Sequence, residues 1–275
     1  MSEILLKNNF EENRTEITSC SLFGRHIKYD LRMGFPLLTT KYLSFKNIIE
    51  ELLFFISGST NCKDLENKGV FIWSGNTSRQ FLDSRGLNNY SEGDMGPMYG
   101  FQWRHAGEDY IDCSKKYHGI DQLKNVISLI REEPNSRRML IINLDVRQES
   151  KMVLQPCHCL VQFYVEGDYL DANMYQRSAD LFLGVPYNIA SYSALLVILG
   201  NLTNKIPRFI TIYFGNVHVY SNHVTQCNIQ LERKPYKFPS LRLNKKYENI
   251  EDISRESFIL EDYRYFPSLK AEMAV

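Results

Sequence analysis

The sequence predicts a single domain of mixed α/β class, and three observations carry that expectation. Amphipathic segments with helical spacing alternate with strand-like runs, two of those runs read as a hairpin, and no linker divides the 275 residues. With 44% hydrophobic and 23% charged residues, a domain spanning 1–275 has an ordinary globular composition and enough chain to bury a core. No repeat period and no Gly/Ser- or Pro-rich stretch of linker length is visible.

A short polar head, residues 1–14, leads into SLFGRHIKYDL, whose apolar positions predict a strand that Gly34 and Pro36 follow as breakers. FKNIIEELLFFI, residues 45–56, predicts a helix ended by Gly58, with Ile48, Leu52 and Phe55 on one face. Glu51 falls on that same face, while Glu50 sits four residues after Lys46 and is expected to be exposed and paired with it. A carboxylate on an apolar stripe is costly unless hydrogen-bonded, so Glu51 is either a satisfied buried acid or a working one. DQLKNVISLIREE, residues 121–133, predicts a second amphipathic helix stopped by Pro134, and Arg137 and Arg138 follow at once. CLVQFYV (159–165), a Glu-Gly-Asp turn and YLDANMYQR (169–177) predict a β-hairpin. NIASYSALLVILGNL (188–202) predicts a largely buried helix, and RFITIYFGNVHVY (208–220) a strand whose alternation puts Asn216, His218 and Tyr220 on one face.

Lys+Arg and Asp+Glu balance at 32 each, which gives no argument for a nucleic-acid or membrane partner; any anion site is local. The apolar runs are broken by polar residues before the ~20 positions a membrane span needs, so a soluble protein is expected. Six cysteines are too few for a disulfide scaffold, and MSEILLKNNF lacks the basic start and apolar run of a signal peptide. A reducing compartment, the cytoplasm with the nucleus not excluded, is the expected setting.

LQPCHCLVQFYV places Cys157 after a proline at the mouth of a strand, where a side chain can face a cleft. Three readings compete. A zinc site fits poorly, because Cys157, His158 and Cys159 are too tightly spaced and no second ligand half exists, so no metal is expected. An inert buried thiol is the common case. A nucleophile needs cationic or hydrogen-bonding neighbours that favour the thiolate, and Arg14, Arg137, Arg138 and Arg177 are the candidates. Arg177 ends an interior-looking strand and is followed by the hydroxyl of Ser178, suitable chemistry for a phosphate. No GxxxxGK[ST] loop and no GxGxxG follows a strand, which leaves a monophosphate held by side chains. His218 and Tyr220 either read sugar hydroxyls or are a satisfied histidine beside a packed tyrosine.

Read in order, LRMGFPLLTTK, IIEELLFFISGSTN, EGDMGPMYGFQWRH, SRRM, QPCH, YQRSADLFLGVPYNIASYS, HVYSNH and PSLKAEMAV resemble the folate-dependent thymidylate synthases that use a cysteine nucleophile. The resemblance runs from about Arg14 to Val275. It implies a mixed β-sheet layered with helices, a homodimer packed sheet against sheet, and reductive methylation of dUMP to dTMP. 5,10-Methylenetetrahydrofolate would serve as carbon donor and reductant, leaving dihydrofolate. By motif, the resemblance makes Cys157 the nucleophile, Glu51 the organiser of protons at the pyrimidine carbonyl and Tyr99 a participant in proton removal. Asp180 and Arg177 complete the catalytic set. Arg14, Arg177 and Ser178 would bind the phosphate, with Arg137 and Arg138 reaching it from the partner subunit. His158 and Gln176 would bind dUMP, Asn188 would bond the base edge, and His218 and Tyr220 would hold the deoxyribose. Trp73, Asn76, Asp180, Leu183, Gly184, Tyr187, Lys270, Ala274 and Val275 would line the folate.

Several positions depart from the usual pattern. Glu16 and Ile17 alter the loop after Arg14, Ser74 replaces an aspartate after Trp73, and Asn216 replaces the aspartate before His218. Asn143-Leu144-Asp145 stands where Ala-Trp-Asn is common, and Tyr42 replaces a basic residue, with Lys41 and Lys270 still expected near the folate tail. Two other functions fit the same residues: a pyrimidine nucleotide hydroxymethylase, and a non-catalytic nucleotide- or RNA-binding relative. Asn188, where dCMP-directed relatives have an acid, favours dUMP.

Overall fold

The computed structural model describes residues 1–13 and 15–272. Along the chain the elements are α1 (Ser2–Lys7), β1 (Ser19–Asp30), α2 (Phe45–Ser57), α3 (Lys63–Glu66), α4 (Arg79–Ser84), α5 (Tyr99–His105) and α6 (Gln122–Glu132). They continue with β2 (Leu140–Ile142), β3 (His158–Glu166), β4 (Tyr169–Asp180), α7 (Gly184–Thr203), β5 (Ile206–Tyr220), α8 (Val224–Glu232), β6 (Ser240–Leu243) and β7 (Phe258–Glu261).

Five strands form one mixed sheet in the order β1-β5-β4-β3-β2, and β6 pairs with β7 in a separate ribbon. The expected hairpin is β3–β4, antiparallel through Glu166↔Tyr169, with a register shift next to His158. β4 and β5 run parallel, so a crossover must join them, and α7 is that crossover. The helix packs on β4 and β5, where Val161, Met174 and Ile212 of adjacent strands are buried on one face. On the opposite face Tyr164, Tyr175 and Tyr213 remain exposed, and among the described residues no element covers them.

α7 corrects two expectations. It begins at Gly184 rather than 188, because Pro186 sits in the first turn, where a missing N–H breaks no intrahelical bond. It is also 20 residues long and apolar enough to cross a membrane, contrary to the run lengths expected from the sequence; yet 78% of its apolar window is buried in the protein, which makes it a core helix.

α2 matches its expected bounds closely. Ser44 accepts the Asn47 N–H at its start, and Gly58 ends it at φ 77°. The exposed Lys46–Glu50 pair is not found. Glu50 is buried and instead binds Lys68 at 2.8 Å and Arg255 at 3.4 Å, because α2 is covered on nearly all sides.

The loop before α5 is held from within. Asp94, fully buried, accepts from Tyr110 Oη (2.6 Å), Gly96 N (2.8 Å) and Cys113 N (2.9 Å). Gly96 has φ +73°, and a Cβ there would lie 2.0 Å from the Lys151 carbonyl oxygen. Gly96→Ala is therefore expected to destabilise the fold by about 3–5 kcal/mol in urea unfolding, since strain and a backbone clash act together. A midpoint equal to the parent's would refute the constraint.

Candidate active site

Cys157 is partly exposed in the last position before β3, and its backbone is clamped on both sides. Its N–H donates to Tyr99 Oη at 3.0 Å, and its carbonyl accepts the Arg177 N–H at 2.9 Å. The Arg177 side chain braces the same segment, Nε donating to the Pro156 carbonyl (3.1 Å) and Nη2 to that of Gln155 (2.6 Å). Tyr99 opens α5 and is buried against Phe55, Trp73 and His158, with ring centroids at 4.8, 6.2 and 5.1 Å. Burial, reinforced by the neighbouring Cys157, raises its phenol well above the ordinary range, so Tyr99 is a neutral hydroxyl at physiological pH.

Glu51 accepts a hydrogen bond from Trp73 Nε1 at 2.8 Å. Desolvation raises its carboxyl to about 7, opposed by the Trp73 bond. Close to neutrality it can therefore both hold and release a proton.

His158 is buried between Tyr99 and Tyr192. Desolvation lowers its pKa to about 4, with the Asn188 amide opposing, so the ring is neutral at pH 7 and supplies no positive charge to its neighbour Cys157. Gln176 Nε2 donates to Asn188 Oδ1 and to the Ser178 carbonyl, both at 3.0 Å. His158 Nδ1 and Gln176 Oε1 are buried polar atoms with no hydrogen-bond partner among the described residues. Such atoms call for a ligand or an ordered water.

Asp180 Oδ1 accepts the N–H groups of Phe182 (2.9 Å) and Leu183 (3.0 Å), shaping the turn into α7 that carries Gly184, Tyr187 and Asn188. Across the parallel pair Asp180 faces His218, and Ser178 faces Asn216. The expected sharing of a face holds: His218 Nδ1 bonds Asn216 Oδ1 at 2.9 Å, and the rings of His218 and Tyr220 meet edge to face at 5.0 Å. Burial lowers His218, against the opposing pull of Asp180. Asn76 is buried in a short turn beyond Trp73.

The remaining candidates differ in where they stand. Arg137 and Arg138 are exposed just before β2, at the sheet edge. Lys41, expected near a ligand tail, is buried with Nζ on the Phe182 carbonyl and over the Phe182 ring at 3.6 Å; desolvation lowers it to about 8. Lys270 is exposed. Arg14, Ala274 and Val275 lie outside the described residues.

Two of the departures acquire partners. Ser74 Oγ donates to Glu66 at 2.6 Å, and Asn143 is fully buried between Trp103 and His158. Sequence reasoning noted Asn143 only as a departure, although an amide ending the apolar run MLII was a visible signal of a buried polar contact.

Residues 1–275 match the family model for thymidylate synthase. The chain is 46% identical to the thymidylate synthase of Homo sapiens over 267 residues, covering 96% of this chain and 85% of that protein. It is also 46% identical to the thymidylate synthase of Herpesvirus ateles over 277 residues, covering 100% and 96%. To the bifunctional dihydrofolate reductase-thymidylate synthase of Plasmodium chabaudi it is 45% identical, covering 99% of this chain and 47% of that protein. The protein is an enzyme of the methyl-transferring class. It belongs to the thymidylate synthase family.

Proposed function

We propose that Cys157 is the nucleophile with which this chain methylates dUMP to dTMP. The observation that carries the reading is the clamped, partly exposed Cys157 beside two buried, partnerless polar atoms and a carboxyl poised at neutrality. The thiolate adds to C6 of the uracil ring, and C5 becomes an enolate-like carbon nucleophile. The Asn188 amide offers one donor and one acceptor, which match O4 and N3–H of uracil. Glu51 gives and takes the proton at O4 as charge develops there. Tyr99, neutral and donating, orders the water that removes the C5 proton. Since His158 is neutral, positive charge for the thiolate and phosphate falls to arginines, Arg177 from the same subunit and Arg14 from the N-terminal loop.

5,10-Methylenetetrahydrofolate supplies both the one-carbon unit and the hydride. The residues present suit it: Trp73 and Tyr187 offer half-buried aromatic faces, and Asp180 uses only Oδ1 for the two turn amides. Asn76, Leu183 and Gly184 border the same space in this reading, with Lys270, Ala274 and Val275 from the C-terminal segment. The enzyme works as a homodimer through the uncovered sheet face, and Arg137 and Arg138 serve the partner's phosphate. Supporting this, Met139 bonds Phe163, six residues along β3 from Cys157, which puts both arginines about 20 Å from their own cysteine. We place the enzyme in the cytoplasm, where a reactive thiolate stays reduced.

The deciding assay incubates the enzyme with dUMP and methylenetetrahydrofolate and follows dihydrofolate absorbance and product mass. dTMP with equimolar dihydrofolate is expected. Hydroxymethyl product with tetrahydrofolate, or dUMP binding without turnover, would overturn the reading.

A further inference from the structure

The peptide after the nucleophile has a second support, from a residue no part of the proposed chemistry uses. Asn143 follows the edge strand β2 and extends its ladder, its N–H donating to the Cys159 carbonyl at 2.9 Å. Its fully buried side chain then makes two short bonds of opposite sense. Oδ1 accepts the Trp103 Nε1–H at 2.7 Å, and Nδ2 donates to the His158 carbonyl at 2.7 Å. Trp103 stands four residues after Tyr99 on α5, so both project from one helix face, and both pack on Phe55. α5 thus grips the nucleophile segment at two points: directly at the Cys157 N–H through Tyr99, and at the His158 carbonyl through Trp103 and Asn143.

We propose that Asn143 is a positioning residue for Cys157, fixing the His158 peptide to α5 so that the thiol keeps one orientation toward the pyrimidine. The inference rests on Cys157 being the nucleophile. Chemistry selects the amide. One side chain must accept from an indole and donate to a carbonyl in a dry site, and leaving either group unmatched is costly. Aspartate is isosteric but presents acceptors to both partners; alanine and leucine satisfy neither.

The test compares Asn143→Ala, Asn143→Asp, Trp103→Phe and the Asn143→Ala/Trp103→Phe pair in the full-length enzyme. The single Asn143 changes are expected to lower kcat roughly tenfold while the dUMP KM stays within about twofold, because the reacting sulfur is misplaced and the binding groups are not. Trp103→Phe removes the indole donor together with some buried volume; the part of its effect on kcat that acts through the hydrogen bond should not multiply with that of Asn143→Ala. If alanine prevents folding, the isosteric aspartate and the Trp103→Phe enzyme carry the same comparison. A lowered melting temperature with unchanged kcat, or effects of Asn143→Ala and Trp103→Phe that multiply fully, would overturn the inference. Cys157→Ala separates the two readings: if it retains turnover the nucleophile assignment fails, whereas inactive Cys157→Ala beside fully active Asn143 variants defeats the positioning role alone.

Discussion

Cys157→Ala is expected to lose turnover by roughly 10⁴-fold or more, the scale on which removing a covalent nucleophile acts. The loss is chemical and local. The bonds that hold the segment involve the backbone N–H and carbonyl of Cys157, which alanine retains, and the Arg177 brace lands on Pro156 and Gln155. The groups proposed to read the base and sugar, Asn188, Gln176, His218 and Tyr220, stand on β4, β5 and α7 and do not depend on the sulfur. dUMP should thus still bind, within a few-fold of the parent in equilibrium dialysis. Substantial turnover by the alanine enzyme would end the covalent mechanism.

Glu51→Gln is the second large effect, expected to lower kcat by about 10²–10³ at neutral pH, as loss of a general acid–base group does. Glutamine keeps an oxygen for the Trp73 donor, so the loss reports the proton and not the packing. The parent's kcat should decline through pH 7 as Glu51 loses its proton, and that limb should be missing from the glutamine profile. Stability moves oppositely. Because the folded carboxyl is raised from 4.5 to about 7, the native state binds a proton across that window that the unfolded chain does not, and stability falls as pH rises through it. Above pH 7 the glutamine enzyme should melt higher than the parent, and the gap should close below pH 4.5. Parallel melting curves across that range would show that burial does not govern this acid.

The long elements were legible from periodicity because their patterns outlast local ambiguity. α2 and α6 emerge within a residue or two of the spans expected, as do β3 and β5, while β4 runs three residues further, to Asp180. β2, of three residues, and α5, of seven with Gly100 inside it, are too short to show a period, yet α5 carries Tyr99. α7 was expected to start at 188, whereas Gly184 and Pro186 form its first turn. Glu50 was misplaced because spacing identifies a helix face without saying what covers it; Lys68 and Arg255 come from distant segments. Lys41 is likewise held from a distant segment, its ammonium meeting a carbonyl 141 residues away. Motif resemblance nominated Cys157, Glu51, Tyr99, Asn188 and Asp180, while the two partners of Asn143, on different elements, needed coordinates.

The sheet order has a consequence for how the molecule is made. β1, residues 19–30, has one partner, β5, at residues 206–220, and the parallel β4–β5 pair closes only after the whole of α7. During synthesis the first strand must wait, unpaired and with apolar side chains, until three-quarters of the chain has emerged. The β3–β4 hairpin forms early from neighbours, but the central seam is high in contact order, and such topologies fold slowly. His218 comes beside Asp180 only once β5 docks on β4. An interrupted chain would hold the cysteine and its brace without the strand that carries His218 and Tyr220.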